Sequence, residues 1–592
     1  MAKLVAALAL PHPTQDVSDA NVPLRQRLQA LENGRLFADA GIANMLTGDF
    51  FTWYIDDQRW SQIEPALNVM ISRLSGISFD VTRKAPESIR DLFKGMYEVF
   101  VPRELRHALG EIYTPDWLAE HAFDTLAWQP RNELLDPTCG TGTFLLEALK
   151  RRLRASGNGI SAAEALSGLY GIDLNPLAVL AAKVSVAVFL SRKFDPANAV
   201  VLPIYLADAI NSATETNDGF FTHELQTEVA VMRFEIPSAL ARSDRLFPIF
   251  DRIRVLVTAG TDATAIMRDL GPDLSGFHFP GDVLTRIQRT IEALIDLHGR
   301  GWDGIWCAIL ADRFAAGAIR RVTHIAGNPP WVKWSHLPPA YAEFIKPLCQ
   351  SMNVFSEDRY VGGIESDIST VITFKAIMKW LAPSGKLGFF ITATVFSNES
   401  SQGFRRFEDD DGSPIAAVLG VQDFKALAPF EGVSNHPSLL VVEQGRRTEY
   451  PVLYKLWIPG PGTAPGQQFE SAEEFRRSCR FKEVLARPVP GTDSGPWLKG
   501  TNEQQRVWET LFDASLESHY RARKGITTDL NGVFFVRARA ERPGLVRIQN
   551  EPEIGRNREI ARTELVIEDT HIFPLNTRTR IKCVCCRSGR RV

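Results

Sequence analysis

The apolar positions fall into several textures along the chain. Residues 1–108 carry helical spacing, with Leu24, Leu28, Leu31, Leu36 and Phe37 in one cluster and Leu92, Met96, Tyr97 and Phe100 within Ser88–Val101. A helical N-terminal region is predicted there. From about 109 to 210, short apolar runs end in Asp or Gly and alternate with helical stretches, the rhythm of a parallel-stranded α/β domain. Residues 213–300 interrupt it with charge-mixed sequence (Arg242–Ala259, Asp282–Leu297) and read as a helical insertion. The rhythm resumes at Val322 and runs to about 445, so the α/β domain is expected over 109–460. Pro459-Gly-Pro-Gly-Thr-Ala-Pro-Gly466 marks a break. After it, 461–520 reads as a linker and a helix (Trp508–Tyr520), and 521–592 as strands, turns and a tail.

Composition narrows the class. With 592 residues, and roughly 150 per domain, three or four domains are expected. Apolar residues at 45% and charged residues at 23% are the balance of a globular chain, which argues against long disorder. No apolar run approaches the ~18–20 residues that cross a bilayer, and Leu4–Leu10 is too short for a signal sequence. No membrane partner is therefore expected. The cysteines (139, 307, 349, 479, 583, 585, 586) are sparse and odd in number, which points to a reducing, cytoplasmic setting. The net charge of -3 advertises no global nucleic-acid surface. Residues 521–560 nevertheless hold nine Lys/Arg against five Asp/Glu, and Asn576–Val592 adds six basic residues and no acid. A local basic patch is usually solvated surface; beside an enzyme domain it raises the nucleic-acid reading.

Four segments carry chemistry. In Glu133-Leu-Leu-Asp136-Pro-Thr138-Cys139-Gly140-Thr-Gly142-Thr-Phe-Leu-Leu-Glu147, a short strand ends in an acid, a glycine turn follows, and a helix begins near Thr143. Glycines admit a ligand close to the backbone, and the helix start presents unpaired N–H groups. An ordinary strand–turn–helix connection is the bland alternative. A dinucleotide fingerprint fits poorly, because its third glycine position is Leu145. In Leu169-Tyr-Gly-Ile-Asp173-Leu-Asn175-Pro176, a second strand ends in an acid, where a nucleoside's ribose hydroxyls lie in a doubly wound fold. Val200–Ala207 is a third strand-like run, ending at Asp208.

The fourth segment is Val322-Thr-His-Ile-Ala-Gly-Asn328-Pro329-Pro330-Trp331. Two prolines fix φ and remove backbone donors beside an amide and an indole. An amide oxygen and a proline carbonyl suit the exocyclic amine of a planar base, with the indole stacked on its ring. A turn followed by a packed tryptophan is the competing reading.

Together these segments resemble an S-adenosylmethionine-dependent N6-adenine DNA methyltransferase of restriction–modification and related defence systems. The likeness covers roughly 105–445 and continues weakly to 575. It implies a Rossmann-like class I methyltransferase sheet in an α/β fold, with the helical N-terminal region, the helical insertion and a partial C-terminal recognition domain as additions. In that family the turn Asp136–Gly142, including Thr138, Cys139 and Gly140, binds the methionine part of S-adenosylmethionine. Asp173 matches the acid on the ribose, with Asn175 beside it, and Asp208 the contact to the cofactor's adenine. Gly110-Glu-Ile-Tyr113-Thr114-Pro115 resembles the leading motif that lies over the cofactor, and Asn328–Trp331 the catalytic tetrapeptide. Asp367–Leu381 and Gly385–Ile391 resemble the helix and strand that close the sheet. The motif order resembles the family's gamma arrangement. Direct methyl transfer to a flipped adenine is implied, with no covalent enzyme intermediate, so Cys139 is expected to be a packing residue.

The resemblance makes double-stranded DNA the expected partner, with Arg521, Arg523 and Lys524 as weak candidates for contacting it and a restriction or recognition subunit as a further partner. No metal is expected: Cys583, Cys585 and Cys586 lack a second ligand pair at zinc spacing. No phosphate-binding G-x-x-x-x-G-K-[ST] motif occurs, and the lone Asp-x-Lys, Asp423-Phe-Lys425, has no nuclease context. The Arg/Cys-rich tail looks unlike a domain ending and is expected to mark a truncation or frameshift. The alternatives are a bifunctional restriction subunit, a protein-glutamine or RNA methyltransferase, and an inactive DNA-binding subunit.

Overall fold

Among the described residues ten strands form one sheet: β1 (Leu134–Asp136), β2 (Leu169–Asp173), β3 (Ile204–Leu206), β4 (Val322–Gly327), β5 (Leu381–Thr392), β6 (Ala416–Asp423), β7 (Pro437–Gln444), β8 (Val452–Pro459), β9 (Cys479–Pro488) and β10 (Trp497–Gly500). The computed structural model describes residues 1–10, 17, 19, 21–45, 52–55, 57–77, 112–156, 159–226, 231–277, 282–301, 305–354, 367–409, 411–433, 435–512, 531–554 and 560–572. The strand order is β10-β9-β8-β6-β7-β5-β4-β1-β2-β3. The run from β3 through β2, β1 and β4 to β5 is parallel; β7 is antiparallel to both its neighbours, β5 and β6. The fold is α/β, as expected.

Alternate residues of the central strands enter two separate cores, as the period of two requires. Leu135, Tyr205 and Ile325 join one buried cluster; Leu134, Ile204, Leu206 and Ala326 join the other. Both faces are covered, so these strands read as apolar runs without polar alternation. Helices α1 (Asp116–Leu126), α2 (Thr143–Ser156), α3 (Pro176–Phe189), α4 (Ile305–Gly317) and α5 (Ile368–Trp380) connect or flank them. The chain lays β1, β2 and β3 outward in turn, then returns to place β4 on the far side of β1. That reversal opens a crevice at the carboxyl ends of the strands, where doubly wound folds bind ligands.

Four helices, Ala2–Ala9, Leu24–Glu32, Arg35–Asp39 and Asp57–Ser75, are described in the N-terminal region, while the expected helix Ser88–Val101 lies outside the described residues. This region is built into the α/β unit. Lys183, buried on α3, donates to the Asn44 carbonyl at 2.8 Å, and the Asn44 side chain bonds both backbone groups of Leu202. Helix α3 is apolar nearly all round because it is covered on both sides.

Two expectations are corrected. The insertion 213–300 is not wholly helical. It opens with an antiparallel sheet of Thr214–Glu215, Phe220–Gln226 and Val231–Pro237, and only then supplies helices Leu246–Thr258, Ala263–Leu274 and Val283–Gly299. Its strands are held from a distant helix: Arg286 pairs with Glu235 and Asp218 and lies over the Phe220 ring at 3.4 Å. Nor is 461–520 a linker between domains. The Pro/Gly run is an exposed connection between two antiparallel neighbours of the sheet, β8 and β9, held where Gly466 N–H donates to the Leu427 carbonyl, and β9 and β10 then extend the same sheet. Helix Asn502–Leu511 follows; 513–520 of the expected helix lies outside the described residues.

The chain divides into two units, Met1–Asp513 and Ala514–Val592. Within the second, Val536–Arg542, Leu545–Asn550 and Glu564–Glu568 form a three-stranded antiparallel sheet. Arg521, Arg523 and Lys524 lie outside the described residues, as does the tail from 573. No helix among the described residues is long and apolar enough to cross a membrane.

Candidate active site

A cavity of about 690 Å³ opens at the reversal point, within the ordinary range for a small-molecule site. Tyr113, Thr114, Asp136, Thr138, Cys139, Gly140, Asp173, Asn175, Asp208, Asn328 and Pro330 all line it. These residues come from five separate stretches of chain. Pro115, Gly142, Pro329 and Trp331 do not reach its wall. Pro115 caps α1, and Gly142 ends the turn against α3, where a Cβ would sit 3.4 Å from that of Ala182.

The glycine turn has the conformation its sequence demands. Gly140 and Gly142 sit at φ +53° and +94°, the left-handed region that other residues enter at a cost. Gly140 N–H donates to Asp173 Oδ2 at 2.9 Å, and Asn175 N–H to Asp173 Oδ1 at 2.8 Å. One acid thus ties the first turn to the second. Its carboxylate also lines the cavity, at the end of β2. Asn175 is committed to structure as well as wall, its side chain accepting from Leu177 N–H at the start of α3. Thr138 Oγ1 is buried and has no hydrogen-bond partner among the described residues.

Asp136 is fully buried, and burial pushes its carboxyl well above the usual carboxylate range, with the Asp173 charge adding to the effect. Burial, with Asp173 and Asp136, likewise pushes the Cys139 thiol well up, so it is held as a neutral thiol. Its sulfur lies against Gly171 of β2, where a Cβ would come within 3.1 Å. Asp208 stands two residues beyond β3, and its Oδ1 accepts from Ile210 N–H at 2.8 Å.

Asn328 follows directly on β4. Its Nδ2 donates to the Ile112 carbonyl at 2.7 Å, while its Oδ1 is buried and unpaired among the described residues. One end of the amide is therefore anchored and the other is an acceptor awaiting a donor. An unpaired buried acceptor costs roughly 1–3 kcal/mol, and ligand-binding sites are where such groups persist.

Trp331 is placed otherwise than a base-stacking role requires. It is 7% exposed, donates Nε1–H to the Phe390 carbonyl at 3.0 Å, and packs edge-on to Phe430 at 5.2 Å. It belongs to the core beneath the turn. Phe430 lines a second, smaller cavity with Lys425, Asn435 and His436. Wall residues that sequence reading did not single out include Ile112, Val332 and the run His336, Leu337, Pro338 and Tyr341, together with Ile368 and Ile372 of α5. Tyr341 O–H donates to Asp208 Oδ2 at 2.9 Å, a contact across 133 positions that no local signal announces.

Residues 88–214 match the profile of the family described as N-6 DNA Methylase. The chain is 24% identical over 216 residues to the adenine-specific methyltransferase PglX of Streptomyces coelicolor; the match covers 31% of this chain and 17% of PglX. The chain thus spans under a fifth of that relative's length. Among solved structures, it is similar to the DNA-bound, ATP-dependent Type ISP restriction-modification enzyme LlaBIII (13% identity, TM-score 0.43, 85% of this chain and 28% of that one). It is also similar to the methyltransferase subunit of a type I restriction-modification system from Streptococcus thermophilus (12% identity, TM-score 0.34, 76% of this chain and 66% of that one). These superpositions are partial, and the fold assignment rests on strand order.

Proposed function

We propose that this chain, whose residues 88–214 match the N-6 DNA Methylase family, transfers a methyl group from S-adenosylmethionine to N6 of adenine in double-stranded DNA, in restriction–modification or phage defence. The observation that carries the reading is Asn328, with its amide nitrogen tied to Ile112 and its oxygen buried and unpaired at the cavity. Oriented this way, the amide accepts a hydrogen bond from an amine and offers no donor to it. The adenine-specific methyltransferase relative supports the choice of acceptor.

The residues present fit the cofactor. Gly140 leaves bare backbone at the wall, Thr138 Oγ1 is unpaired, and Asp173 and Asp208 stand at the ends of successive strands. Thr138 and the turn would hold the methionine part, Asp173 the ribose hydroxyls, Asp208 the base, and Tyr113 and Thr114 would cover it. When bound, S-adenosylmethionine supplies a methyl group activated by its sulfonium.

The chain's own residues do the rest. Adenine N6 is inaccessible in a duplex, so the base must be flipped out, at a cost of a few kcal/mol. Asn328 Oδ1 would accept a hydrogen of N6, which leaves the nitrogen lone pair facing the cavity. Pro329 and Pro330 fix the backbone that follows this acceptor. No nucleophile of the protein is used, in keeping with the neutral, buried Cys139 thiol. A recognition or restriction subunit is the further partner in this reading.

The test is tritiated methyl transfer into adenine-containing duplex DNA, with RNA and glutamine peptides as competing acceptors and Asn328→Ala alongside. Label on DNA that vanishes in the variant supports the reading. Label on RNA or peptide alone, or full activity of Asn328→Ala, overturns it.

A further inference from the structure

The acid at the third strand is gripped from the far side of the cavity. Asp208 is 7% exposed, and the side-chain hydrogen bond it accepts among the described residues comes from Tyr341, at 2.9 Å to Oδ2. Its other oxygen takes the Ile210 N–H at 2.8 Å. Arg313 of α4 and Lys375 of α5 act on it through charge. Arg313 spends its hydrogen bond on His223 of the insertion, Nη1 to Nε2 at 2.5 Å. The phenol therefore sets the direction in which the carboxylate points.

Tyr341 reaches Asp208 because of the route taken by the chain after Trp331. A single turn, Trp334–His336, leads into helix Pro339–Ser351, and this passage puts His336, Leu337, Pro338 and Tyr341 on the cavity wall. The segment leaving the catalytic turn thus walls the nucleoside end of the site. Burial, reinforced by the Asp208 charge, pushes the Tyr341 hydroxyl up, so it remains a donor at any physiological pH.

We propose that Tyr341 is a positioning residue for cofactor recognition: its hydroxyl locks the Asp208 carboxylate so that a remaining acceptor position meets the exocyclic amine of the cofactor's adenine. The inference rests on the S-adenosylmethionine reading of the cavity. The outer torsion of an aspartate is broad, so a carboxylate held only by Ile210 N–H has freedom that two hydrogen bonds remove. Two donors take two of about four acceptor positions, which leaves room for the amine. A purine with oxygen at that position brings an acceptor against an acceptor and is rejected.

The experiment is calorimetric titration of the full chain with S-adenosylhomocysteine and with its hypoxanthine counterpart, S-inosylhomocysteine. Tyr341→Phe keeps the ring and loses the hydroxyl. The adenine compound is expected to weaken about fivefold, the value of one net hydrogen bond, and the hypoxanthine compound by less than about twofold, so discrimination falls. In an Asp208→Ala background the same substitution should have no further effect, because Tyr341 acts through that acid. Unchanged affinity, equal weakening of both compounds, or full additivity with Asp208→Ala overturns the proposal. If the unaltered protein binds neither compound, the cofactor reading falls and takes this inference with it. Binding of both compounds without methyl transfer to DNA leaves the inference standing and removes only the acceptor assignment.

Discussion

Asp136 and Gly327 end neighbouring parallel strands, and a Cβ on Gly327 would lie 2.5 Å from Asp136 Oδ1. The buried carboxyl fills the space that any side chain at 327 would need. The turn after β1 and the turn after β4 therefore share one wall, with Asn328 next along the chain. Gly327→Ala is expected to destabilise the fold by about 1–3 kcal/mol through overpacking. A shift of about 1 Å at Asn328 would also cut the proposed methyl transfer on the order of a hundredfold. Thermal unfolding and single-turnover transfer measure the two effects; wild-type behaviour in both would show that the wall yields freely.

Asp173 serves two turns at once. Removing it in Asp173→Ala strips the acceptors from Gly140 and Asn175 as well as those proposed for the ribose. Affinity for S-adenosylmethionine should fall about tenfold or more, a loss on the order of 1–3 kcal/mol. Calorimetry on the folded variant reads it, and an unchanged dissociation constant would take Asp173 out of the site.

Trp331 should behave as a core residue. Trp331→Ala is expected to cost about 3–5 kcal/mol of stability, as deletions of large buried aromatics do. Trp331→Phe should cost roughly 1 kcal/mol, for the lost Nε1 bond to Phe390. Denaturant unfolding distinguishes this from a role in base capture, where Trp331→Phe would leave stability intact and weaken DNA binding instead.

Asp367 carries a pH signature. Burial raises its carboxyl to about 6, although Ser369 N–H donates to it at 2.9 Å. The unfolded chain has this group near 3.9, so the native state holds the proton more tightly. Its contribution to stability is complete below about pH 4 and is lost as pH rises through about 6. Asp367→Asn, which keeps an acceptor for Ser369 and cannot ionise, should raise the melting temperature at pH 8 and leave it unchanged near pH 4. Equal melting temperatures at both pH values would refute the assignment.

The strands β1 to β5 and the turns that follow them were legible because their signals are local. Asp136 to Gly142 needs glycine where φ is positive, Asp173 and Asn175 lie at the junction of a strand and a helix, and Asn328 is held by two prolines. Each rule acts over a few residues, so sequence alone determined the α/β class and eleven of the cavity's wall residues. It also determined that Cys139 packs, given Gly171 opposite it. What it misjudged were elements whose character depends on distant partners. The short strands of the insertion are clamped by Arg286 from a later helix, and the glycine-rich run after β8 looks like a linker until its carbonyl and amide partners are known. Trp331 looks like a stacking platform until Phe390 and Phe430 surround it.

Only the tertiary structure decided which atoms at the site remain unsatisfied. That Asn328 presents its oxygen depends on the Ile112 carbonyl 216 positions away, and the direction of Asp208 depends on Tyr341. Residue types determine how many donors and acceptors a side chain brings. Which of them are spent is a property of packing, because the partners are chosen by sheet order and not by distance along the chain.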